Sequence, residues 1–231
     1  MFSQGFSTLI FMTKYLNQIQ HFELFLFDMD GTLVNTEPLH ARAMDLVFKQ
    51  YKIEVSMSEE EALEKFKGMT DTLVLKALCP DLDEPTRDSM IQQKNQFLKN
   101  IFNNLQPQDI INLTTPGLSE LLSYIKTNNK KLAVVSASEN EVVYETLSAF
   151  GLINEFDFWF GRGSTERTKP HPDPYLAAMK KANILKEKTI IFEDSPTGIQ
   201  SARASGATVI EVAPFGKEDY LKDYRDLLIR N

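Results

Sequence analysis

Two carboxylates, Asp28 and Asp30, followed by Gly31 and Thr32, close an apolar run from Leu24 to Phe27. Three further stretches carry reactive side chains: Ser136 with Ala137 and Ser138 behind it, Lys169 in Lys-Pro-His-Pro, and Glu193-Asp194-Ser195. Acids at i and i+2 repel each other unless a cation or a proton offsets them. Asp28, Glu193 and Asp194 offer hard oxygen donors, and the backbone carbonyl of Asp30 can add another, a set that suits Mg²⁺ with retained waters. A carboxylate beside such an ion can attack phosphorus and form an aspartyl-phosphate. Ser136, backbone N–H groups at a helix start and Lys169 can hold phosphoryl oxygens. Asp30 can protonate a leaving oxygen and later take a proton from water.

Each stretch also has a plainer reading. Asp-x-Asp-Gly and Glu193-Asp194 can be acidic turns, Ser136 a helix cap, and Lys169 a solvated loop charge. A calcium loop counted from Asp28 needs Gly at position six and Glu at position twelve, where this chain has Leu33 and Leu39. His40 and His171 stand apart in the sequence and read as structural or substrate-facing groups rather than metal ligands. Cys79 reads as a small buried side chain. What lifts the set above its plain readings is placement, because all four stretches end or follow an expected strand.

The Leu24–Phe27 run has the bulk of a buried strand. Pro38 opens a helix with Leu39, Ala43, Leu46 and Val47 on one face. Only helical patterns follow up to Leu113: Ser58 to Phe66, Thr70 to Leu78, and a longer one from Glu84 to Leu105. Then strands and helices alternate. Thr115-Pro116 opens a helix carrying Leu118, Leu121, Leu122 and Ile125. Lys131 to Val135 is a strand, and Ser138 with Glu141 reads as a capping box for the next helix, which ends at Gly151. Phe156 to Phe160 is a strand, Tyr175 to Ala182 a helix, and Thr189 to Phe192 a strand. A helix runs from Pro196 to Gly206, Ala207 to Val212 is the last strand, and a closing helix is expected from Lys217 to Ile229. This order implies a parallel α/β sheet with right-handed crossovers, with residues 37–113 inserted as an all-helical domain. Parallel strands end on one edge, so the four stretches meet there.

The net charge of −7 leaves nucleic acid and anionic membranes as unexpected partners. A single cysteine excludes an internal disulfide and fits a reducing compartment, so a cytoplasmic location is expected. No apolar stretch reaches the roughly 18 residues of a membrane span. Residues 1–22 read as an N-terminal extension rather than a signal peptide, and Met12 is an alternative start.

On Asp28-Met29-Asp30-Gly31-Thr32, Ser136, Lys169 in Lys-Pro-His-Pro, and Glu193-Asp194-Ser195, the chain resembles the haloacid dehalogenase-like hydrolases, above all their β-phosphoglucomutase-like sugar-phosphate phosphatase branch. The likeness covers about Phe22 to Val212. It implies a Rossmann-like core made of residues 1–36 and 114–231, a helical cap of residues 37–113, and Asp28 as nucleophile with Asp30 as acid/base. Ser136, Ala137 and Lys169 would bind phosphate, and Asp28, Asp30, Glu193 and Asp194 would hold Mg²⁺. His40 and the loop from Lys67 to Asp71, with Gly68 and Thr70, are the expected substrate contacts from the cap. Leu33 to Thr36 and Asn112 to Thr115 are the expected hinges. The mutase branch carries an Arg three residues after the cap-loop Gly, where this chain has Asp71. Its first motif has an apolar residue where this chain has Thr32. The expected activity is hydrolysis of a small phosphorylated metabolite by a monomer. A phosphomutase is the alternative, and an Asp-phosphorylated regulatory binding protein is the reading of another class.

Overall fold

The computed structural model describes residues 19–55, 57–58, 61, 65–66, 69–216 and 220–228. Five parallel strands form its sheet: β1 (Leu24–Phe27), β2 (Lys131–Glu139), β3 (Phe158–Arg162), β4 (Thr189–Glu193) and β5 (Thr208–Glu211), in the order β3-β2-β1-β4-β5. The strand that delivers Asp28 is therefore central. Its residues are wholly buried because both faces of the sheet are covered.

Alternation along the strands divides the core in two. Phe25, Phe27, Leu132, Val134, Ile190 and Phe192 face α5 (Leu118–Thr127) and α6 (Asn140–Ala149). Leu24, Leu26, Ala133, Val135 and Ile191 face α7 (Asp173–Ala182) and α8 (Pro196–Ser205). Phe27 and Phe192 stack at 4.6 Å between ring centroids, and Tyr224 stands edge-on to both. Each buried ring contributes on the order of 1.5–3 kcal/mol. Phe27 pairs with Val134 on one side and Phe192 on the other, so Asp28 emerges one residue beyond this aromatic plug.

Among the described residues, α1 (Glu37–Tyr51), α2 (Asp71–Leu78), α3 (Glu84–Asn103) and α4 (Pro107–Leu113) lie between β1 and α5. The first three have a cluster of their own, built on Met44, Val47, Phe48, Leu75, Cys79, Met90 and Ile91. Cys79 is thus a packing residue. The chain segments entering and leaving these helices run side by side. Asn35 N–H donates to Leu113 O at 2.7 Å and Thr115 N–H to Leu33 O at 3.0 Å. On the far side, α3 leans on α6, where Phe102 meets Phe150 edge-on and Lys99 pairs with Glu145.

Several expected elements change. The helix expected from Glu84 to Leu105 ends at Asn103, and α4, opened by Pro107, follows separately. Thr115-Pro116 does not open α5, which starts at Leu118 behind Gly117. Thr115 instead donates its hydroxyl to Thr32 O at 2.6 Å, tying the two connecting segments together. Strand β2 runs on to Glu139 and β3 starts at Phe158. The closing helix is not formed among the described residues. Leu221 bridges to Val212, and a 3-10 turn at Tyr224–Leu227 follows, with Asp223 accepting from Arg225 N–H. Burial of Tyr224 under Phe27 and Phe192 overrides the helical pattern there. Most of the helix expected from Ser58 to Phe66 lies outside the described residues.

Removing that ring tests the plug. Tyr224→Ala should lower unfolding stability by about 3–5 kcal/mol, the range for large aromatic truncations, read as a fall in denaturant midpoint at unchanged slope. A loss under about 1 kcal/mol, the level of an ordinary surface substitution, would contradict its place in the core.

Candidate active site

Lys169 gathers the strand ends. Its Nζ donates to Asp28 Oδ1 at 2.6 Å, to Glu193 Oε1 at 2.6 Å and to Val135 O at 2.8 Å. The loop after β3 thereby reaches across β2 and β1 to β4. Glu193 is wholly buried. Its Oε1 also accepts from Tyr175 Oη at 2.8 Å, and its Oε2 accepts from Asp194 N–H, Ser195 N–H and Ser195 Oγ–H at 3.0–3.2 Å. Those bonds fix the turn into α8, whose N-cap is Ser195. Asp194 in turn accepts from Thr32 Oγ–H at 3.1 Å. Gly31 makes this approach possible: its φ is +85°, and a Cβ there would collide with the Asp194 carboxylate.

Among the described residues, carboxylates outnumber the cations bonded to them here. Asp28, Glu193 and Asp194 are buried with donor atoms within 4.8 Å of one another, and Lys169 is the one ammonium bonded among them in the described residues. Burial, then Glu193, pushes the Asp28 carboxyl well above its usual range, against the pull of Lys169. Burial would discharge Lys169, but Asp28 and Glu193 outweigh it and keep the ammonium charged. Three hard carboxylates around one ammonium fit a divalent cation such as Mg²⁺, which takes oxygen ligands and would offset the excess.

Asp30 belongs to a different arrangement. Its carboxylate turns from this cluster to accept from the hydroxyl of Thr36, and from Ser138 Oγ–H at 3.0 Å, while His40 Nε2 lies 3.7 Å away. Ser138 is therefore not the cap of α6, which has Glu139 at that position and no side-chain cap bond. Lys94, 1% exposed on α3, donates to His40 Nδ1 at 2.6 Å and to Asp71 Oδ2 at 3.0 Å. Burial, then Lys94, lowers the His40 pKa to about 4, so the ring is neutral at ordinary pH.

A cavity of about 700 Å³ separates α1, α2 and α3 from the strand ends. Asp28, Asp30, Ala137 and Lys169 line it from the sheet, and His40, Thr70, Asp71 and Lys94 from the helices. Ser136 is buried within β2, three residues before its end, where its Oγ accepts from Ser138 N–H at 3.0 Å, and the cavity wall begins at Ala137. His171 is exposed, and its carbonyl takes a bond from Ser201. Gly68 and Lys67 lie outside the described residues. Thr36, Ser138, Lys94 and Tyr175 join the expected set.

A family model described as haloacid dehalogenase-like hydrolase matches residues 25–212. The chain belongs to the haloacid dehalogenase-like hydrolases. It is 27% identical over 207 residues to a protein of Thermotoga maritima named phosphorylated carbohydrates phosphatase, covering 89% of this chain and 90% of that one. It is 25% identical over 190 residues to a phosphoglycolate phosphatase of Nitrosococcus oceani, covering 81% and 82%. Among solved structures, CbbY of Rhodobacter sphaeroides in complex with xylulose-(1,5)bisphosphate superposes with a TM-score of 0.76 at 22% identity, over 87% of this chain and 90% of that one. That likeness is one of fold. No helix among the described residues is long and apolar enough to cross a membrane.

The contact between Gly31 and Asp194 gives a test with an internal control. Gly31→Ala adds a clash with the carboxylate to a strained φ, whereas Gly151→Ala, at φ +69° with nothing within 4 Å, adds strain alone. The first should destabilise by more than the ~1–3 kcal/mol of a strained backbone residue, and the second by no more than that. Equal losses in denaturant titrations would show that the close approach carries no weight.

Proposed function

We propose that this enzyme is a Mg²⁺-dependent phosphatase that hydrolyses a small phosphate monoester through an aspartyl-phosphate on Asp28. The observation that carries this reading is the division of labour between two nearby carboxylates. Asp28 sits with Lys169 and the acid pair, while Asp30, two residues on, is held by hydroxyls and faces the cavity. A hydrolase needs both a nucleophile and a separate acid/base.

Asp28, Glu193 and Asp194, with the Asp30 carbonyl, would hold the metal. When bound, it supplies positive charge that keeps Asp28 ionised and offsets the charge of the incoming phosphate. In the first step a carboxylate oxygen of Asp28 bonds to phosphorus as the ester O–P bond breaks, and the protonated Asp30 gives its proton to the leaving oxygen. In the second, Asp30 takes a proton from water as that water attacks phosphorus, releasing inorganic phosphate and restoring Asp28. Lys169 balances charge at Asp28 throughout, and Ser136 with the Ala137 backbone borders the phosphoryl group. Thr36 and Ser138 aim the Asp30 carboxyl.

The helical unit of residues 37–113 acts as a lid over the cavity. Its own apolar cluster and its paired connecting segments support this, and closure would exclude water during transfer. The Phe102–Phe150 and Lys99–Glu145 contacts then mark the side about which it swings. Hydrolysis is favoured over mutase chemistry because a carboxylate, Asp71, stands where a second phosphate would need an Arg fork.

Asp28→Asn is nearly isosteric and should keep the fold while losing far more than tenfold in turnover, more than about 1.4 kcal/mol of barrier. A loss within tenfold would overturn the nucleophile assignment. Asp30→Asn should cost less on p-nitrophenyl phosphate than on an alkyl phosphate, because a good leaving group needs little protonation. Equal losses would leave Asp30 a structural role only. Added Mg²⁺ should raise thermal stability and restore turnover after chelation, with about 2.7 kcal/mol of stabilisation at 100-fold excess over the dissociation constant. Full activity in chelator would count against the metal site.

A further inference from the structure

The cavity holds more charge than phosphoryl transfer uses. Two cations on its wall away from Asp28 are each bound to a carboxylate: Lys94 to Asp71 at 3.0 Å, and Arg162 to Glu139 at 2.8 Å. Burial would push the Asp71 carboxyl up, but Lys94 beside it outweighs burial and holds it below its usual range. Lys49, also on the wall, is bound to Asp45 at 2.5 Å. Arg42 is solvent-exposed, where its charge is screened. Among the described residues, then, every buried or half-buried cation of the wall is already matched by a carboxylate.

An anion entering such a wall loses water and meets attraction to the ammonium offset by repulsion from its partner. A hydroxyl meets no such conflict, because it can accept from Lys94 or Arg162 and donate to Asp71 or Glu139. Asn95 adds a second observation. Its side-chain amide donates to Glu139 Oε2 at 3.4 Å, and its Oδ1 is buried on the same wall with no hydrogen-bond partner among the described residues. An unmatched buried acceptor there calls for a donor, which a hydroxyl supplies and a carboxylate or phosphate dianion does not.

We propose that Asp71 and Glu139 make the cavity selective by charge. It accepts monophosphate esters whose leaving group is an uncharged polyol and rejects esters carrying a second anion, whether carboxylate or phosphate. This rests on the phosphatase reading above. It separates this chain's substrate class from carboxylate-bearing esters and from bisphosphates, and it makes Asp71 a specificity-determining residue.

Matched substrates test it. Sorbitol 6-phosphate and 6-phosphogluconate differ only in a terminal hydroxymethyl or carboxylate, as do glycerol 3-phosphate and 3-phosphoglycerate. The wild-type enzyme with Mg²⁺ should prefer the neutral member of each pair by about tenfold or more in kcat/KM, some 1.4 kcal/mol. Asp71→Asn keeps the shape but frees the Lys94 charge, so the ratio should fall chiefly through a gain on the anionic member. Glu139→Gln should act in the same direction if Asp71→Asn does not fold. Wild-type preference for the anionic members, or folded variants with an unchanged ratio, would overturn the proposal. Turnover of p-nitrophenyl phosphate separates the two levels. If it is hydrolysed while the pairs go the wrong way, only the selectivity fails. If no phosphate ester is hydrolysed, the phosphatase reading falls and the selectivity with it.

Discussion

One buried ammonium holds the centre of this molecule together. Lys169 binds carboxylates from the ends of β1 and β4 and a carbonyl of β2. Asp28, Glu193 and Asp194 would repel one another strongly in a place so poor in water. The sheet meets that cost with Lys169, with Tyr175, and with the N–H groups that open α8. Among the described residues, carboxylates still outnumber cations at this carboxyl edge of the parallel sheet. Such a place suits a cation, and the aromatic plug of Phe27, Phe192 and Tyr224 forms a floor beneath it.

Beside that centre is a second polar chain with different chemistry. Asp30, Thr36, His40, Lys94 and Asp71 link β1, the connecting segment and three helices through hydrogen bonds or close approach. Burial of Lys94 within α3 is tolerable because an imidazole nitrogen and a carboxylate receive its protons. The orientation of Asp30 is thus tied to the helices above it. A lid that moved would disturb this chain before it disturbed Asp28.

The edge that carries the candidate site is legible because its residues follow strands that read clearly. Leu24 to Phe27 and Ile190 to Phe192 are continuous apolar runs, and the acid directly after each lies at a strand end. Lys169 was harder to place, since a lysine in a proline-rich loop looks solvated until the loop folds across the sheet. At Ser138 the local signal misleads: Ser-x-x-Glu is a strong capping pattern, yet β2 continues through it and delivers its hydroxyl to Asp30. Lys94 falls on the same stripe as Met90, Ile91, Leu98 and Phe102. A lysine on such a stripe signals a buried partner, but the pattern does not say which one. At the C-terminus, local helical periodicity lost to the burial of Tyr224, a contact with residues far away in the sequence.

The covalent role proposed for Asp28 can be tested without relying on variants. Enzyme turning over a phosphate ester with Mg²⁺ is quenched, treated with borohydride, which reduces an acyl phosphate to an alcohol, and digested for peptide mass spectrometry. The expected result is homoserine at position 28, dependent on substrate and absent when chelator is added. Continued phosphate release with no reduced residue at position 28, or with the reduced residue elsewhere, would contradict the central claim.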